Sequence, residues 1–302
     1  MSRDHADPAH AGGLAVVAGT FERNAQLFAR RRPRMKDFHT HTTYSDGGFL
    51  QGMVEAAEAA GLEGIGLTDH CTVSSREKPA TTRTIYGFNL DVTYERRRRA
   101  IEELRRREDV SIEIYDGVEM DYDPRDETEI RDFLVEAGFD YTIGSVHAVD
   151  GLNVQVPSNF ADLSEARRDE LVDGYFENLV SLIESELFDV AAHIDLIERT
   201  PPLRGLATTD HYEPVARALA DSRTVPEINA GRAISDMAIV HPSETFLDVL
   251  REYDVAVTVG SDSHRPSEIG DRAGFLEGYF ERHGLESVEP PGLDGQRVPT
   301  DD

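Results

Sequence analysis

His39-Thr40-His41 sets two imidazoles two residues apart at the end of an apolar segment. Alternate residues of an extended strand point the same way, so both rings can reach one cation. Similar residue types recur further along. Asp46 lies in the turn Tyr44-Ser45-Asp46-Gly47-Gly48, His70 closes Leu67-Thr68-Asp69-His70, and Glu119 follows a β-branched run. His147 ends Ser145-Val146-His147, His193 stands just before Asp195, and Asp262 and His264 belong to Ser261-Asp262-Ser263-His264. Imidazole and carboxylate donors suit Zn, Mn or Fe, whereas the single Cys71 offers no thiolate cluster. Carboxylates can bridge two such cations about 3.5–4 Å apart, which activates water and clamps phosphate oxygens. Those are the two needs of phosphomonoester hydrolysis at neutral pH.

These residues need elements that bring them to one place. Short β-branched or apolar runs near residues 35–39, 63–68, 110–118, 139–146, 188–193, 223–228 and 255–260 alternate with amphipathic stretches near 50–60, 94–107, 126–137, 162–186, 211–221, 243–252 and 270–282. That alternation predicts βα units around a parallel sheet. In an α/β barrel the chemistry sits at the C-terminal ends of the strands, and each candidate other than Asp46 falls at such an end. Asp46 by itself reads as an Asx turn or helix cap. His5, His10, His211, His241 and His283 lack companions of this kind and are expected in surface or structural roles.

The chain has 302 residues, 31 Lys plus Arg against 58 Asp plus Glu, and a formal charge of −27. Lys36 and Lys78 are its only lysines. An acidic, lysine-poor surface keeps a protein dispersed where salt screens self-repulsion, so a salt-adapted (halophilic) chain is expected. Long nucleic acid is excluded as a partner, because binding it requires a positive surface that releases counterions. The Arg96–Arg99 run reads as a solvated helix face that pairs with Glu95, Glu102 and Glu103 for about 0.3 kcal/mol per pair. No apolar run reaches the roughly 18 residues of a membrane span and no signal peptide is visible, so a cytoplasmic protein without membrane attachment is expected. One cysteine forms no internal disulfide. Residues 1–34 read as an N-terminal extension or a misassigned start, 35–289 as the catalytic domain, and 290–302 as a flexible Pro/Gly/Asp-rich tail.

The segments DFHTHTTYSDG, GLTDH, GVEMDY, GSVH, AHIDLI and GSDSHRP, spread from Asp37 to Pro266, resemble the polymerase and histidinol phosphatase (PHP) family. The resemblance implies a distorted TIM-like (β/α)7 barrel, the PHP fold, holding two or three divalent metal ions. It assigns His39, His41, Glu119 and Asp262 to one metal. Glu119 would bridge to a second metal held by His147 and His193, and Asp46, His70 and His264 would take a third. LTDHC, GVEMDY, FDYTIGSVH, HIDLIER and EINAGR are similar to the histidinol-phosphatase branch, which implies hydrolysis of histidinol phosphate to histidinol and phosphate in histidine biosynthesis. The chain departs from the HPDLI of that branch at His193-Ile194-Asp195-Leu196-Ile197.

Arg199 and Arg232 are candidate phosphate-binding residues, since a guanidinium grips two oxygens with a planar fork. A surface ion pair is the ordinary alternative for each. Asp121 and Asp195 could face the ammonium of the substrate or orient metal ligands. The competing functions are a PHP phosphoesterase acting on nucleotides or short oligonucleotide ends, and a non-catalytic metal-binding protein. An amidohydrolase shares the first His-x-His, but its bridging lysine carbamate has no candidate here, because Lys36 and Lys78 flank the early strands.

Overall fold

The computed structural model describes residues 35–295. The expected N-terminal extension lies outside the described residues. In chain order the elements are β1 (Lys36–Thr40), α1 (Leu50–Ala60), β2 (Gly64–Leu67), β3 (His70–Cys71), α2 (Glu77–Tyr86), α3 (Leu90–Arg105), β4 (Glu113–Asp121), α4 (Glu127–Ala137), β5 (Tyr141–Ser145), β6 (Ala148–Val149), β7 (Leu152–Asn153), α5 (Glu165–Glu184), β8 (Val190–Ala191), α6 (Thr209–Asp221), β9 (Val225–Arg232), β10 (Ile239–His241), α7 (Glu244–Glu252), β11 (Thr258–Gly260) and α8 (Pro266–His283).

Parallel ladders run through β1, β2, β4, β5, β8, β9 and β11. Beyond β11 the chain meets β1 again: Thr40 bridges Ser263, the His41 amide donates to the Ser263 carbonyl at 2.9 Å, and the Asp262 amide donates to the His39 carbonyl at 2.8 Å. The sheet therefore curls until its first and last parallel strands touch, which is the distorted barrel expected from the sequence. Strands covered on both faces have no polar side to show, and β2 (GIGL) and β5 (YTIGS) are buried at every position. The helices carry apolar stripes against them, as in Tyr212, Val215, Ala216 and Leu219 of α6, spaced three or four residues apart.

Four expectations need correction. β4 runs to Asp121, so Glu119 lies inside a ladder, opposite His70 and Ile143, and not just past a strand ending at residue 118. α2 has no sequence counterpart, because none of its residues is buried and no apolar period marks it. The arginine run is only partly solvated. Arg99 does pair with Glu95 at 3.1 Å, but Arg97 is fully buried between Asp69 (2.9 Å) and Asp116 (2.8 Å) and also donates to the Gly117 carbonyl. Two carboxylates taken out of water require a cation between them. Finally, the packed chain passes residue 289: Pro291–Asp294 forms a 3-10 turn, and Leu293 rests on the cluster of Phe38, Tyr141 and Ile143.

Candidate metal centre

β1 delivers His39, and His41 follows one residue past its end; both are fully buried, with their Nε2 atoms 3.1 Å apart. β4 delivers Glu119 between them and three further rings. Its Oε2 lies 3.3 Å from His39 Nε2, 3.5 Å from His41 Nε2 and 2.7 Å from His70 Nδ1. Its Oε1 lies 3.1 Å from His193 Nε2 and 3.5 Å from His147 Nε2. Asp262 Oδ1 is 3.4 Å from His41 Nε2, and the more exposed Asp46 is 3.4 Å from His264 Nε2 and 3.9 Å from His70 Nε2. All nine residues expected as ligands therefore meet at one end of the barrel.

The backbone bends to achieve this. His193 and Asp262 both have positive φ, 28° and 53°, a conformation that L-residues adopt only where the surroundings hold them. Gly231 leaves room beside Asp262, since a Cβ there would collide with its carboxylate. The loop carrying Asp46 is tied down by Asp69, which accepts from the Thr42 amide at 2.6 Å, the Thr42 hydroxyl at 2.8 Å and the Ser45 hydroxyl at 3.0 Å.

The donor set fits a cation. Among the described residues three groupings bring ligand atoms within 4.8 Å of one another: His41, Asp46, His70 and His264; His39, His41 and Glu119; and His70, Glu119 and His147. His193 and Asp262 fall outside those groupings but touch their members at the distances above. Glu119 Oε2 and His70 Nδ1 are buried with no hydrogen-bond partner even though they lie 2.7 Å apart, because they are misaligned for a bond. Two imidazole Nε2 atoms 3.1 Å apart cannot both carry protons. Lone pairs gathered at one buried place are what a divalent cation neutralises.

The charges are strongly coupled. Burial opposes ionisation of His39, yet Glu227 and Glu119 outweigh it and raise its pKa well above the ordinary value. Burial lowers His41 to about 4, helped by His264 and His70. It also lowers His193 to about 4 against the pull of Glu119. His70 is raised to about 9, because Glu119 overcomes its burial. Glu119 and Asp262 are held well below the usual carboxylate range, burial being outweighed by the surrounding histidines.

A second tier of carboxylates orients the rings. His39 Nδ1 donates to Glu227 Oε2 at 2.8 Å and His147 Nδ1 to Asp121 Oδ1 at 2.5 Å, which turns each Nε2 toward Glu119, where it would offer its lone pair to a bound cation. Asp121 also accepts from the Thr72 hydroxyl. Asp195 is fully buried, with Oδ1 2.5 Å from His241 Nδ1 and Oδ2 accepting the Ser243 amide at 2.7 Å, so it has no open edge toward a substrate ammonium. Arg199 is nearly buried at the edge of the cluster, 3.3 Å from Asp262 Oδ2. Arg232, at the end of β9, is exposed.

The sequence reading missed Glu227 and gave His241 no specific part. Glu227 could have been found from Glu227-Ile228-Asn229-Ala230, where polar residues alternate with apolar ones in a strand buried along its middle. His241 sits in β10, whose antiparallel pairing with β9 has no signal in three residues of sequence.

The PHP domain family matches residues 37–230 of this chain. A protein named "Probable histidinol-phosphatase" from Deinococcus radiodurans is 26% identical over 246 residues, covering 78% of this chain and 88% of that protein. The histidinol-phosphatase of Lactococcus lactis is 24% identical over 235 residues, 75% of this chain and 82% of the relative. Among solved structures, the L. lactis histidinol phosphate phosphatase complexed with zinc, L-histidinol and phosphate superposes with a TM-score of 0.66 at 21% identity, over 88% of this chain and 99% of that one. That likeness is one of fold. With the family matched from β1 through most of β9, the chain belongs to the PHP domain family.

Proposed function

We propose that this chain is a metal-dependent phosphomonoesterase that hydrolyses histidinol phosphate to histidinol and phosphate. One observation carries the chemistry: Glu119 is buried among five histidines, with an oxygen that has no hydrogen-bond partner. His39, His41, Glu119 and Asp262 would hold one divalent cation, His147 and His193 a second with Glu119 between them, and Asp46, His70 and His264 a third. When bound, such cations supply activation of water and neutralisation of phosphate charge. Nitrogen and oxygen donors without thiolate favour Zn, Mn or Fe(II).

The protein's own residues do the positioning. Ser145 donates to Glu119 Oε1 at 2.6 Å and fixes that carboxylate, while Glu227 and Asp121 fix the tautomers of His39 and His147. Arg199 offers a cation beside Asp262 for a phosphate oxygen, and Arg232 offers an exposed one at the end of β9. The choice of histidinol phosphate rests on the LTDHC, FDYTIGSVH and HIDLIER phrases together with the names of the relatives. A net charge of −27 argues against polynucleotides.

The test is phosphate release from histidinol phosphate, nucleoside monophosphates and bisphosphates, using metal-loaded protein in high salt. Preferential release from histidinol phosphate is expected. Preference for nucleotides would reassign the substrate, and absence of turnover in protein that still binds phosphate would remove the enzymatic reading.

A further inference from the structure

Among the described residues three histidines hydrogen-bond a carboxylate through Nδ1: His39 with Glu227, His147 with Asp121 and His241 with Asp195. In the first two the opposite nitrogen faces Glu119. His241 turns its Nε2 to Arg199 instead, accepting from Arg199 Nε at 2.8 Å. It is fully buried and belongs to none of the groupings that can hold a cation.

The bonding leaves this assembly little freedom. Asp195 is itself held by the Ser243 amide, so it keeps the proton of His241 on Nδ1 and the lone pair on Nε2. Arg199 is then fixed at two points of a rigid plane. Nε donates to His241, and Nη2 lies 3.2 Å from Asn229 Oδ1 and 3.3 Å from Asp262 Oδ2. A planar guanidinium held at two nitrogens has its third nitrogen aimed as well. Among the described residues Arg199 Nη1 has no hydrogen-bond partner, and the side chain keeps 8% of its surface exposed at the edge of the cluster.

We propose that His241, held by Asp195, is a positioning residue that pins the Arg199 guanidinium beside Asp262, leaving its free nitrogen to take an oxygen of the substrate's phosphate. This rests on the phosphomonoesterase reading above. The alternative is that the assembly acts on the metals through Asp262.

The experiment compares the metal-loaded parent with His241→Leu and His241→Gln. It measures inorganic phosphate affinity by calorimetry, metal content per chain, and KM and kcat for histidinol phosphate. Leu cannot accept from Arg199, so phosphate affinity should fall at least about tenfold, the scale of one lost hydrogen bond to a charged group, with metal content unchanged and KM affected more than kcat. The Gln amide oxygen can take the place of Nε2 and should restore most of the affinity. If His241→Leu does not fold, Asp195→Asn, which keeps the size and frees the tautomer, carries the same expectation. Unchanged phosphate affinity, or metal loss in step with it, would overturn the proposal. Because the phosphate titration needs no turnover, failure of the substrate reading and failure of this one register separately.

Discussion

Glu227 accepts from the His39 ring at 2.8 Å through one oxygen and from the His193 backbone amide at 3.0 Å through the other, so one buried carboxylate fixes two candidate ligands on opposite sides of Glu119. Asn229 donates to it at 2.7 Å, and Gly260 leaves it space that a Cβ would fill. A carboxylate behind a ligating imidazole raises its basicity as well as aiming it, and such partners typically account for 10–100-fold in metal affinity, about the loss expected for Glu227→Gln. Competition with a chelator of known affinity checks this, and a variant that holds metal as tightly as the parent would remove Glu227 from the site.

Glu119→Gln should abolish turnover while leaving the fold in place. The amide presents a donor where Oε2 faces three imidazole nitrogens, so it cannot serve as a bridging anion. Circular dichroism, metal content and rate belong in one experiment. Full metal loading with unchanged turnover would reject the bridging role.

Chelation should remove phosphatase activity, and Mn(II), Zn(II) or Fe(II) should restore it, since the nitrogen and oxygen donors here accept any of them. Activity that persists after verified metal removal would overturn the mechanism, because it would require a protein nucleophile and base that this constellation does not provide.

How much of this was legible in the sequence depends on the length of the signal. His39-Thr40-His41, Glu119 and Ser261-Asp262-Ser263-His264 announce themselves because ligand-type residues recur at the ends of apolar runs, and the structure brings all nine candidates together. The positions of Asp195, Arg199 and His241 were not legible in the same way. Whether Arg199 faces solvent or His241 depends on the 3-10 turn Leu196–Arg199 and on β10, which local periodicity does not specify. Arg97 hid in a run of four arginines, although it stands four and seven residues before Ile101 and Leu104 on the buried stripe of α3, which sets it apart from its neighbours.

Arg97→Leu should destabilise the protein by about 3–5 kcal/mol, the usual cost of removing one partner from a buried ion pair, because Asp69 would remain buried without its cation and Asp116 would keep only Arg98, at 2.7 Å. The pH dependence follows from Asp69. Burial pushes its pKa up, but Arg97 outweighs that and holds it below the ordinary value. A depressed folded-state pKa contributes stability above the unfolded value of about 3.9 that is lost as pH falls through the folded value. Parent and variant should therefore differ most near neutrality and converge in acid. Urea unfolding of both at neutral and acidic pH tests this, and a gap that widens in acid would show the wrong linkage.

The last prediction follows from the −27 charge and is independent of the metal centre. Folding concentrates an excess of carboxylates on one surface, and their mutual repulsion is set by how far each field reaches. Dilution from 1 M to 0.1 M salt lengthens that reach from about 3 Å to about 10 Å, so carboxylates screened from one another in concentrated salt begin to repel. If the acidic surface is an adaptation to salt, the thermal unfolding midpoint should rise with KCl even with metals held saturating. Glu119→Gln should show the same slope, because one buried residue leaves the surface field nearly unchanged. An unfolding series in KCl measures this directly. A midpoint that stays flat or falls with salt would defeat the halophilic reading, and the metal centre, whose case rests on buried histidines and Glu119, would be unaffected.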